Sequence, residues 1–190
     1  AADHGCLLRV VGSGGPRVVL EGLLIRGTLC VADSGVLELL RCRFEPMLRH
    51  AVPTAALDIN GGDVSVRNST FSRLNGAITV NDGMLHLAYC ELLHLQNGLI
   101  VWGGVVQVSG SRFVGDSRTA IHVYGGSLEL SSQSVVVQCQ TAISVETAGS
   151  VRYVLPAPLG RWVLIPDGGS VATLPRGTSE VAFPFPCAAG

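Results

Sequence analysis

A glycine recurs through this chain on a nearly constant beat, and that beat limits the available folds more than any other feature. Gly35, Gly62, Gly83, Gly104, Gly126 and Gly149 each open a similar phrase, and the last five stand 21, 21, 22 and 23 residues apart. A repeat this short is one supersecondary unit that cannot enclose a core by itself, so its copies must stack and share one.

The phrase itself says what the unit is. Two residues after each glycine an apolar-x-apolar pattern begins: Leu37 and Leu39, Val64 and Val66, Leu85 and Leu87, Val106 and Val108, Leu128 and Leu130. Alternation of this kind is the strand period, with the apolar residues on one face. The residues between them, Glu38, Ser65, His86, Gln107 and Glu129, are expected to point outward. Seven residues after the glycine comes a small residue (Cys42, Ser69, Cys90, Ser111), and two further on a bulky one (Phe44, Phe71, Leu92, Phe113, Val135), which reads as a second short strand.

A third strand closes each coil: ALDI (56–59), AITV (77–80), GLIV (98–101), AIHV (120–123) and AISV (142–145). Its inward residues are Leu57, Ile78, Leu99, Ile121 and Ile143, then Ile59, Val80, Val101, Val123 and Val145. Gly- and Asn-rich turns follow, as in Asn60-Gly61-Gly62 and Asn81-Asp82-Gly83, and such residues tolerate the positive φ of tight corners. Three short strands per coil predict an all-β, right-handed parallel β-helix of about six coils of 21–23 residues, with equivalent side chains stacked about 4.8 Å apart. Burying each inward Leu, Ile, Val or Phe contributes roughly 1.5–3 kcal/mol.

The rival repeat fold is the leucine-rich repeat. It requires another Leu three positions before the first apolar residue, where this chain has Ser34, Gly61, Asp82 and Gly103, and a helical return in place of the AIxV strands. Residues 92–111 carry no formal charge, but His94, Gln96, Asn97, Gly98, Gly103, Gly104 and Gln107 interrupt them, so the repeat explains them better than a membrane span does.

The β-helix is expected over residues 1–153, with 1–17 as an irregular N-terminal coil or cap. Within it VVLEGLLI (18–25) and TLCV (28–31) read as an early coil, and 45–55 as an inserted loop. Prolines at 156, 158, 166, 175, 184 and 186 break any regular ladder, so 154–190 is expected to be a Pro-rich tail, a cap, or a linker to a further module. The start, AADHGCLLRVV, has no basic stretch followed by a long apolar run, which suggests a piece of a longer chain.

The glycine–strand–SxF–AIxV coil over residues 18–153 resembles the right-handed β-helix, or pectin-lyase-like, superfamily. It is closest in texture to the non-enzymatic repeats of large surface proteins. In the tail, PAPLGRWV (156–163) and FPFPCAAG (183–190) resemble segments of large multi-module extracellular proteins of algae and protists. In those a β-helix precedes cysteine-rich, ephrin-receptor-like repeats, and the resemblance implies that Cys187 begins such a region.

Enzymes of that superfamily are mostly polysaccharide lyases and glycoside hydrolases, which need clustered carboxylates. One outward row reads Glu38, Ser65, His86, Gln107, Glu129; the other reads Asp58, Thr79, Ile100, His122, Ser144. No two acids are adjacent in either, so no catalytic residue is assigned and no cofactor is implied. The expected function is a non-catalytic, extracellular or cell-surface structural or adhesive module whose partner is a carbohydrate or another surface protein. The alternative is a lyase or hydrolase, or an inactive relative. A net charge of −1 argues against nucleic acid, and ice binding would call for a regular Thr-rich row.

Four groups of residues carry candidate sites. Trp102 and Tyr124 share a column with His122 beside them, and together could offer a flat platform to a sugar ring. Asn60, Asp63, Asn81 and Asp82, at equivalent turns, hold enough oxygens to bind Ca²⁺, although such residues also satisfy turn backbone. Asn68-Ser69-Thr70 is an N-glycosylation sequon with Asn68 facing solvent. Among the six cysteines, with no CxxC pair, Cys42 and Cys90 share a column with Ser69 between them. That puts them about 9.6 Å apart, beyond disulfide reach, so both are expected to be free and buried. Cys30 and Cys139 fall at outward or loop positions, and the sequence does not show their pairing.

Overall fold

The computed structural model describes residues 6–12, 17–46, 55–115, 119–131, 134–137, 141–154 and 164–165. Most of the 45–55 insertion and of the tail, with Cys139 and Cys187, lies outside the described residues. The strands in chain order are β1 Cys6–Gly12, β2 Val18–Glu21, β3 Leu24–Ile25, β4 Thr28–Leu40, β5 Arg43–Phe44, β6 Leu57–Arg67, β7 Thr70–Ser72 and β8 Gly76–Ala88. They continue with β9 Glu91–Leu93, β10 Asn97–Val101, β11 Val105–Ser109, β12 Arg112–Val114, β13 Thr119–Ser131, β14 Val135–Val137, β15 Thr141–Val154 and β16 Leu164–Ile165. No helix occurs among the described residues. The pairings are parallel, and they stack the chain into a β-solenoid of about six turns. Cys6–Gly12 forms its first rung, paired with β4.

The closing strand of one coil and the opening strand of the next are not separate, as the sequence suggested. They run together as β4, β6, β8, β13 and β15, each 11–14 residues long, with a register shift near the middle. Only at Trp102-Gly103-Gly104 does the long strand break, into β10 and β11. The shifts fall at the anchor glycines or within the three residues before them. Gly62, Gly83, Gly104 and Gly126 have φ between 74° and 92°. A Cβ on each would stand 2.2–2.5 Å from the carbonyl oxygen of the preceding glycine in the column. Backbone stacks on backbone there, and only glycine fits.

The register reproduces the inward and outward rows. Glu38, Ser65, His86, Gln107 and Glu129 are aligned neighbours, as are Asp58, Thr79, Ile100, His122 and Ser144. The inward Leu, Ile and Val columns are buried, and Phe44 stacks on Phe71 with ring centroids 4.3 Å apart.

One expected row is corrected. Phe113 aligns with Val136, not Val135, and buried Ser134 takes the small-residue place. Ser134 lies eight residues after Gly126 where Ser111 lies seven after Gly104, so this coil carries one extra residue and its second strand slips by one. In the tail, β16 adds a further rung by pairing with β14.

The corners also depart from the glycine rule. Arg41, Asn68 and Tyr89 take left-handed backbone, with φ of 50–55°, in a column whose ends are Gly22 and Gly110. Each amide in this column from Gly22 to Tyr89 donates to a carbonyl of the next coil, as Tyr89 does to Ser109 at 2.9 Å. Arg73 and His94 do the same at the next corner, ahead of Gly115. A hydrogen bond to the adjacent coil offsets the roughly 1–2 kcal/mol cost of this conformation.

Candidate functional site

The aromatic column is assembled by the ladder. Val101 and Val123 are aligned neighbours, so the residues that follow them, Trp102 and Tyr124, stand one above the other. Their rings stack with centroids 3.9 Å apart and an interplanar angle of 4°. His122, two residues before Tyr124 on the same face, stacks on the phenol at 3.9 Å and 16°. Two rings that close and that parallel cannot share one face of the phenol, so they sandwich it. The rings therefore do not lie side by side as a common platform. The stack ends on one side at an indole that is 52% exposed, and on the other at His122, whose Nε2 lies 3.4 Å from Glu146 Oε1.

Of the four Asn and Asp residues at the turns, only Asn60 and Asn81 are joined to each other, and their shared acceptor is Asp58. Asn60 donates to Asp58 at 3.0 Å, and Asn81 donates to both Asp58 and Asn60, at 3.0 and 2.8 Å. Asp82 accepts from the Gly83 amide at 2.7 Å, while Asp63 aligns with Met84. Both asparagine amide nitrogens face oxygen, the arrangement of a hydrogen-bonded ladder. Among the described residues no three His, Cys, Asp or Glu side chains gather into a metal-ligating group.

Asn68 is exposed at its left-handed corner and Ser69 beneath it is buried. The hydroxyl of Ser69 accepts from the Cys42 amide at 3.0 Å and donates to the Arg67 carbonyl at 2.9 Å, and Ser111 serves Cys90 and Ser109 in the same way. Cys42 and Cys90 are free and buried in this column. Burial pushes the Cys90 thiol up to about 11. Cys30 is covalently paired with Cys6 across the first two rungs, a bond the sequence did not reveal.

The sequence reading also missed a trough at the far end of the face that carries His86, Gln107 and Glu129. Two residues further on stand Arg67, Ala88 and Ser109, which are aligned neighbours, and Ser131, which follows the aligned pair Val108 and Leu130. Three of these four are small, so a channel opens between the large polar row and Tyr89 at the corner, with a volume of about 560 Å³. The signal was present, since these residues all stand five positions after an anchor glycine and Tyr89 stands six after Gly83.

Among the described residues no helix is long and apolar enough to cross a membrane. No family model matches the chain, and no curated protein or solved structure matches it either.

Proposed function

We propose that this chain is a non-catalytic module of an extracellular or cell-surface protein, akin to the non-enzymatic branch of the pectin-lyase-like β-helices. In this reading the solenoid is a rigid structural or adhesive element that holds a carbohydrate, or failing that another surface protein, against its aromatic column. The observation that carries the proposal is the half-exposed indole of Trp102, backed by Tyr124 and held by a ladder on either side. A ring fixed before binding loses little rotamer entropy when a ligand arrives, so its contact area converts efficiently into affinity. The indole face turned away from Tyr124 is the one a sugar ring would meet.

The acids of the two outward rows support a non-catalytic role, because no two of them are aligned neighbours. Glu38 pairs with Arg17, Glu129 accepts from Gln107 at 3.0 Å, and Asp58 accepts from Asn60 and Asn81. A hydrolase would need two carboxyls facing one glycosidic bond. Exposure of the Asn68 sequon fits a secreted glycoprotein.

The test is a glycan-array screen of the purified chain with and without Ca²⁺, reading cleavage as well as retention. The expected result is retention without cleavage, weakened in Trp102→Ala. Cleavage of any glycan would overturn the non-catalytic reading, and a blank array would redirect the search to protein partners.

A further inference from the structure

Met84 and His86 stand two residues apart on β8 and so point to the same, outward face. Their heteroatoms converge: the His86 Nε2 lies 2.9 Å from the Met84 Sδ. Met84 is 37% exposed, so its thioether is presented at the surface and not spent in the core. On the neighbouring rung Asp63 is aligned with Met84 and Ser65 with His86. Both face outward, since Val64 and Val66 between and beyond them are buried. A thioether, an imidazole, a carboxylate and a hydroxyl thus share one two-by-two patch of the ladder, with about 4.8 Å from rung to rung.

Two of these groups lack partners. The Asp63 carboxylate makes no hydrogen bond or ion pair among the described residues. The Ser65 hydroxyl oxygen is buried with no partner, the only side-chain nitrogen or oxygen so placed among the described residues. A metal on the His86 Nε2 would leave Nδ1 as the ring's N–H donor, and metal-bound imidazoles give that proton to an outer acceptor. Ser65 stands on the rung beside His86 to take it, whereas Gln107, on the other side, has its amide turned to Glu129 at 3.0 Å. The donor set selects the metal. Ca²⁺ needs six or more oxygens, and the patch offers one carboxylate. Structural Zn²⁺ takes four ligands from thiolates, imidazoles and carboxylates, and no three of those gather here among the described residues. A thioether with an imidazole suits Cu(I), and one carboxylate balances its single charge. With bonds of about 2.0 Å to nitrogen and 2.3 Å to sulfur, the two atoms would part by roughly 0.7–0.9 Å, which the rotatable bonds of methionine allow. The softer thiols of Cys42 and Cys90 are buried in the core and do not compete.

We propose that Met84 and His86 bind a soft monovalent metal ion, Cu(I), on the outward face of the solenoid. Asp63 supplies the balancing charge, and Ser65 holds the imidazole in the tautomer that binds. The site is separate from the aromatic column and does not depend on carbohydrate binding.

The chain has two methionines, Met47 and Met84, so carbon labelling of their methyl groups gives two NMR signals, which Met84→Leu assigns. Ag(I), which shares the ligand preferences of Cu(I) and keeps its oxidation state, is titrated into the full chain after accessible thiols have been alkylated. One equivalent is expected to move the Met84 methyl and the His86 ring signals together. Competition for Cu(I) against a coloured chelator, without oxygen, should then show affinity weakened about tenfold or more in Met84→Leu and His86→Phe, and about tenfold in Ser65→Ala. A melting curve for each variant confirms that it folds. A Met84 methyl that does not move with Ag(I), or a folded Met84→Leu that holds Cu(I) as tightly as its parent, overturns the site. Zn²⁺ moving the His86 signals at lower concentration than Ag(I) does overturns the soft-metal assignment. Unchanged affinity in Ser65→Ala overturns the role given to its hydroxyl.

Discussion

The ring of Tyr89 lies across Gly110 of the next coil, where an added Cβ would meet its Cδ1 at 2.6 Å. The anchor glycines are confined by backbone instead: a Cβ on Gly104 would stand 2.3 Å from the Gly83 carbonyl oxygen. A tyrosine ring on the surface can swing aside, whereas a carbonyl locked in two ladders cannot. Gly110→Ala should therefore cost about 1–2 kcal/mol, mostly for its left-handed backbone, and Gly104→Ala about 3 kcal/mol or more. Urea denaturation of both variants checks the ranking; equal losses would mean that the glycine column is not what limits coil spacing. Gly110→Ala should also displace the Tyr89 ring.

Cys90, 1% exposed, makes the solenoid sensitive to alkali. Its thiol is pushed from 9.0 to about 11, chiefly by burial. Across that window the unfolded chain has lost the proton and the folded chain still holds it. The contribution is intact below pH 9 and falls as pH rises towards 11, by about 2–3 kcal/mol in all. Cys90→Ser should fold, since Ser69 and Ser111 already occupy this column, and it should lose less stability than the parent over the same range. Parallel denaturation midpoints for the two proteins at about pH 8 and pH 10.5 would refute this.

The Cys6–Cys30 bond joins residues 24 apart in sequence, and by loop-closure entropy its removal should cost about 3 kcal/mol. Each rung of a solenoid contacts only its neighbours, so the loss should be local. Reduction is expected to speed amide exchange in β1 and the first half of β4 while β6, β8 and β13 keep their protection. Uniform loss across all coils would show that the terminal rung nucleates the whole stack.

Much of this was legible in advance because a stacked coil assigns each residue to a row by its offset from the anchor glycine. Leu37, Val64, Leu85, Val106 and Leu128 were placed inward on that basis, and all five are buried. The same arithmetic placed Cys42 and Cys90 in one column, two coils apart and free. It failed at Val135, where one extra residue moved Val136 into line with Phe113, because an offset counts residues and not turns of the chain. For the candidate site, His86, Gln107 and Glu129 were in hand, but Arg67, Ser109 and Tyr89 were not joined to them.

The sequence by itself determined the period, the inward columns and the glycine seam, since each follows from strand alternation and from the exclusion of Cβ where backbone stacks on backbone. Tertiary structure alone decided the left-handed corners at Arg41, Tyr89, Arg73 and His94, whose residue types do not announce a positive φ. It also decided the Cys6–Cys30 bond, the sandwich of Tyr124 between Trp102 and His122, and the ring of Tyr89 over Gly110. Row membership fixes which residues are neighbours along the axis. How their side chains turn depends on the space the adjacent coil leaves, and that space exists only once the coils are stacked.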